Sequence, residues 1–95
     1  MAAYVMANLE VHDPKTFETY REKVPATIAA HGGRYLVRGG DIKTLEGALP
    51  APRMVVIEFA DRLAAERWYN SDEYQEILPL RLNSAKGFAA IVDGI

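Results

Sequence analysis

The sequence predicts an α+β domain in the order strand, helix, strand, strand, helix, strand. Three patterns predict it. Residues 3–12 alternate between apolar and other side chains with a period of two, which is the mark of a strand with two unlike faces. Phe17, Tyr20, Val24, Ile28 and His31 recur at spacings of three and four, one face of a helix. Met54–Phe59 is apolar and rich in β-branched residues, and a second capped helical stretch follows it.

Taken in order, the first strand runs from Ala3 to His12. Val5, Ala7, Leu9 and Val11 fall on one face, and Tyr4, Met6, Asn8, Glu10 and His12 on the other. Asp13-Pro14 opens the first helix, since Asp caps well and Pro is pre-set for the first helical position. Pro25 predicts a kink or break near 21–25, and Gly32-Gly33 ends the helix. Arg34–Arg38 reads as the second strand. Gly39-Gly40 allows a bulge, and Lys43–Glu46 is expected to extend the strand beyond it. The segment Gly47–Pro52 is a loop, because its prolines cannot donate to a ladder. Met54–Phe59 is the third strand. Asp61 caps a helix whose inner face carries Ala64, Ala65, Trp68 and Tyr69. Ser71 opens a further stretch with Asp72 and Glu73 in its first turn, where their charge suits the helix dipole. Tyr74, Ile77, Leu78 and Arg81 continue one face, and Pro79 predicts a second break. Phe88–Val92 closes as the last strand. The order is the split βαβ, ferredoxin-like arrangement: a four-stranded antiparallel sheet with helices on one face.

Length and composition agree. Ninety-five residues suit one domain spanning 1–95. A 49% hydrophobic and 25% charged chain is ordinary for a globular protein and argues against disorder. The formal charge of -2 provides no positive field for nucleic acid or an anionic membrane. Cysteine is absent, so disulfides, thiolate metal sites and cysteine nucleophiles are excluded, and a reducing, cytoplasmic setting fits. No stretch approaches the roughly 20 apolar residues of a membrane span.

Helices on one sheet face leave the other bare. If Val5, Ala7, Leu9 and Val11 pack on the helices, Tyr4, Met6, Asn8 and Glu10 lie on the open side. That mixed, partly apolar face is expected to pair with a second copy in a twofold dimer.

Several short strings then resemble a known family. They are Asp13-Pro14, Gly32-Gly33-Arg34-Tyr35, Arg38-Gly39-Gly40, Leu45-Glu46-Gly47, Val56-Ile57-Glu58-Phe59, Trp68-Tyr69-Asn70-Ser71 with Tyr74 and Arg81, and the closing Val92-Asp93-Gly94-Ile95. In this order and over the whole chain they resemble the domain-of-unknown-function family 1330. The resemblance implies a dimeric α+β barrel. That superfamily includes monooxygenases, isomerases, haem-degrading enzymes and plain ligand binders, so the fold leaves the reaction open.

The candidate ligand-binding residues are Asn8, Arg38, Glu58, Trp68, Tyr69, Tyr74 and Arg81. Arg38 and Glu58, in the two strands expected to be central, are read as a pair that orients an anionic or carbonyl ligand, or as a structural salt bridge at the sheet edge or dimer seam. Trp68, Tyr69 and Tyr74 suit the wall of an apolar pocket, and equally a core or dimer interface. Arg81 lies two turns beyond Tyr74, placed for a ligand carboxylate or for pairing with Glu58 or Asp72. His12 and His31 are explained by a solvated strand end and a helix C-terminus; without i, i+4 spacing they make a poor metal site. No phosphate loop and no Gly-x-Ser-x-Gly elbow is present. No cofactor is implied. The leading expectation is a small-molecule site between sheet and helices. The alternatives are a non-catalytic dimeric interaction or stress-related module, and a monooxygenase acting without a cofactor.

Overall fold

A computed structural model describes residues 1–95. The alternation of the first segment becomes β1 (Ala3–Val11), with Val5, Ala7 and Leu9 buried under the helices. α1 (Pro14–Ala30) follows at once. Asp13 caps it, accepting from the Thr16 N–H at 3.3 Å and the Thr16 hydroxyl at 2.7 Å. Gly32, at φ +73°, closes it: the Gly32 N–H donates to Ala29 and the Gly33 N–H to Ile28, the paired bonds of a Schellman cap.

Then come β2 (Arg34–Arg38), β3 (Arg53–Phe59), α2 (Arg62–Asn70), α3 (Asp72–Leu82) and β4 (Ala85–Asp93). The sheet order is β2-β3-β1-β4 with every pair antiparallel. This is the ferredoxin-like fold, its second helical limb divided at Ser71. There the Ser71 hydroxyl donates to the Trp68 carbonyl at 2.7 Å and accepts from the Tyr74 N–H at 3.2 Å, ending α2 and starting α3.

Four local expectations are corrected. Neither proline breaks its helix: α1 runs through Pro25 and α3 through Pro79. A proline removes one ladder bond, and the packed face outweighs that loss. Lys43–Glu46 forms no strand. A longer β2 would pair with residues just before Arg53, and Pro50 and Pro52 there have no N–H to donate. β4 begins at Ala85, three residues before Phe88, because its pairing with β1 extends from Ala3↔Asp93 to Val11↔Ala85. Finally, β2 is an edge strand and not a central one.

The core lies between one sheet face and the helices. Val5, Ala7, Leu9, Ile57 and Phe59 from the sheet meet Phe17, Tyr20, Val24, Ile28, Trp68, Tyr74, Ile77 and Leu78. The opposite face carries Tyr4, Met6, Met54, Val56 and Ala90 by register. Leu36, Phe88 and Val92 are 46%, 48% and 45% exposed. No helix is long and apolar enough to cross a membrane.

Candidate functional site

Sheet and helices do not close completely on each other. A narrow cavity of about 40 Å³ remains, walled mainly by apolar side chains from β1, α1, β2, β3, α2 and α3. Val5, Ala7, Leu9, Val55 and Ile57 form its floor, and Phe17, Tyr20, Val24, Trp68, Tyr69 and Tyr74 its roof. Four guanidinium groups interrupt this apolar wall: Arg21, Arg38, Arg53 and Arg81. No aspartate, glutamate or histidine lines it.

The aromatic roof is tightly organised. Trp68 and Tyr74 have ring centroids 4.2 Å apart, and Trp68 also lies against Phe59 at 5.5 Å. The Trp68 indole N–H donates to the Thr27 hydroxyl at 3.0 Å, and that hydroxyl donates to the Val24 carbonyl at 2.7 Å. The indole is therefore fixed in orientation and satisfied. The Tyr20 and Tyr74 hydroxyls meet at 3.0 Å. Burial first, and the neighbouring Tyr74 phenol next, push the Tyr20 phenol well above its ordinary range. Burial likewise raises Tyr35, against the opposing pull of Arg38.

Arg38 reaches this side of the sheet because of an irregularity. Tyr35 and Arg38 are three residues apart, so a regular strand would send them to opposite faces. A register shift between Tyr35 and Val37 restores a common face: Tyr35 pairs with Ile57 and Arg38 with Val55. The Arg38 guanidinium then lies 4.8 Å above the Tyr35 ring. Its Nη2 donates to the Arg21 carbonyl at 2.6 Å. That carbonyl is the one left without a helix donor by Pro25, four residues on. Arg53 covers the Phe17 ring at 5.2 Å. Desolvation lowers its pKa, and the positive charges of Arg21 and Arg38 add to the effect. Arg53 thus lies near enough to Arg21 and Arg38 for their charges to repel it. The buried Nε atoms of Arg21, Arg53 and Arg81 have no hydrogen-bond partner.

Of the seven residues singled out from the sequence, Arg38, Trp68, Tyr69, Tyr74 and Arg81 line this cavity. Asn8 and Glu58 do not. Both lie on the opposite sheet face, where the even-numbered positions of β1 and β3 point. Asn8 is 1% exposed, covered by the end of the long loop, and its amide is fully engaged there. Nδ2 donates to the Ala51 and Arg53 carbonyls at 2.9 and 3.0 Å, and Oδ1 accepts from the Ala51 N–H at 3.1 Å. Glu58 pairs with Arg34 at 2.8 Å across the open face, not with Arg38 or Arg81. Arg81 does not pair with Asp72 either. Arg21, Arg53, Tyr20 and Tyr35 line the cavity without having been singled out. Their signal was present. Arg53 shares the parity of Val55, Ile57 and Phe59, and Arg21 sits four after Phe17 and three before Val24.

The family model for a domain of unknown function (DUF1330) matches residues 2–95. The chain belongs to this family. No curated protein matches it by sequence. Among solved structures, this DUF1330 chain is similar to a protein of unknown function from Rhodopseudomonas palustris. The TM-score is 0.78 at 11% identity, covering 99% of this chain and 82% of the other. It is also similar to HapK from Hahella chejuensis, with TM-score 0.66, 16% identity and coverage of 98% and 92%. A third is SnoaB, a cofactor-independent oxygenase from Streptomyces nogalater, with TM-score 0.63, 13% identity and coverage of 99% and 93%. At such identities the likeness is one of fold.

Proposed function

We propose that this DUF1330 chain binds a small organic molecule in the cavity between sheet and helices. The observation that carries the reading is the interruption of a partly open, aromatic-walled space by guanidinium groups, of which Arg21, Arg53 and Arg81 have buried Nε atoms without partners. An apolar wall with a few convergent polar groups is the usual chemistry of a ligand site. A filled interior with paired charges, as a pure interaction module requires, fits these residues less well. The cavity holds roughly three waters at one probe sphere each, so a larger guest enters by displacing the half-buried Arg21 and Arg53 side chains.

Trp68, the sole tryptophan, reports on this space directly. A screen of small aromatic and aliphatic compounds, charged and uncharged, should include some that change its emission saturably. The same compounds should raise the melting temperature, by on the order of 10 °C at a hundredfold excess over Kd. A flat response in both measurements across the screen would return the protein to the interaction-module reading.

The fold is shared with a cofactor-independent oxygenase, which keeps oxygenation as a second reading. The site chemistry favours binding over it. Without a cofactor, a substrate must lose a proton before it can give electrons to oxygen. The titratable groups lining the cavity are phenols and guanidinium groups, and burial raises Tyr20 and Tyr35 away from that role. Oxygen uptake on adding electron-rich phenols would reverse the preference.

The working unit in this proposal is a homodimer. Leu36, Phe88 and Val92 with Tyr4, Met6, Met54, Val56 and Ala90 make an apolar sheet surface with no helix over it. A second copy presenting the same surface about a twofold axis covers it. Sedimentation should give twice the 10.6 kDa of the chain, and Phe88→Asp should shift it towards the monomer. A monomeric wild type at micromolar concentration would sink this assignment.

A further inference from the structure

Arg81 is the most telling side chain of the cavity. It sits on α3, is 8% exposed, and its Nε is buried without a partner. A buried cation normally has a carboxylate beside it, because desolvating an unpaired charge is strongly unfavourable. Here the lining contains no carboxylate at all. Arg21 pairs at 3.6 Å with Glu18, which is more than half exposed. Arg38 leans on a backbone carbonyl instead of an acid. Apart from that exposed Arg21–Glu18 pair, the positive charge at this apolar cavity has no carboxylate partner in the chain. The Tyr20–Tyr74 hydroxyl pair adds to this. One proton serves their mutual bond at 3.0 Å, and the other is left to be donated.

Resting on the binding reading above, we infer that the guest is a small organic acid, its carboxylate held by Arg81 with the other guanidinium groups that line the cavity, its apolar body against Trp68 and Tyr74. The planar guanidinium fork matches two carboxylate oxygens. A narrow cavity favours this flat, singly charged head over a tetrahedral, doubly charged phosphate. The anion supplies the counter-charge that the protein lacks.

The test uses matched pairs that differ in charge and hardly in shape: benzoate with benzamide, and hexanoate with hexanamide. Phenyl phosphate is added as a third head group. Binding is read by Trp68 emission and by melting temperature, on the wild type and on Arg81→Met. The wild type should bind each acid about tenfold or more tighter than its amide, as a charge-assisted hydrogen bond implies. In Arg81→Met that preference should fall close to one. The unliganded variant should melt no lower than the wild type, because methionine fills similar space without an unpaired charge. Equal binding of acid and amide to the wild type overturns the inference and leaves the cavity reading standing. Binding of neither, with uncharged aromatics also inert, overturns both. Phenyl phosphate bound tighter than benzoate replaces the carboxylate with a phosphate ester and overturns the class. If Arg81→Met does not fold, Arg53→Met decides: an unchanged acid preference there overturns the inference.

Discussion

Gly87→Ala is expected to leave little folded protein. Gly87 lies in β4 opposite Leu9, at φ +146°. L side chains rarely adopt that conformation, so strain is present before any contact is considered. The contact is worse. A Cβ at this position runs into the carbonyl oxygen of Asn8, with the Asn8 carbonyl carbon and Leu9 Cα close behind. All three are backbone atoms of β1, a central strand, so no side chain can swing aside. Relief requires parting β1 from β4. The expected loss is several kcal/mol, a large share of the roughly 5–15 kcal/mol that holds a small domain together. A urea unfolding curve is the measure, and a midpoint equal to that of the wild type would refute the account.

Asn8→Ala should act on the same strand from its other side. Three hydrogen bonds disappear, and the Ala51 N–H and the Ala51 and Arg53 carbonyls lose their side-chain partner. Leaving buried groups unsatisfied costs about 1–3 kcal/mol each when water cannot reach them. With some solvent entering the loosened loop, a total of about 2–4 kcal/mol is expected. The cavity lies across the sheet from this amide, so the folded fraction should keep its affinity for any cavity ligand within about twofold. An unchanged stability with lost binding would instead make Asn8 part of the site.

That contrast shows what periodicity conveys and what it omits. Alternation correctly put Val5, Ala7 and Leu9 under the helices and Asn8 on the reverse face. It carried no sign that residues 51–53 fold back onto Asn8, because that contact spans more than forty positions and depends on one amide geometry. Arg38 and Glu58 looked like partners because both are charged and sit in neighbouring strands. The shift between Tyr35 and Val37 decides the matter by turning Arg38 to the helix side, while Glu58 stays opposite Arg34. Trp68 and Tyr74 were ambiguous between core and pocket, and they are both: each is buried and each walls the cavity. Arg21 and Arg53 were masked by their charge. A polar residue on an apolar stripe reads as the stripe's edge until the opposite wall is known.

Pro25 has a consequence beyond the shape of α1. An arginine anchored by a carboxylate is aimed and neutralised in the same act. Arg38 is aimed by a neutral dipole, the carbonyl that Pro25 releases, so it is oriented while keeping its whole charge. Immobilising a long side chain on association costs about 0.5–1.5 kcal/mol, and for Arg38 part of that ordering is completed during folding. The imino acid that weakens the helix ladder thereby gives the cavity a pre-organised cation.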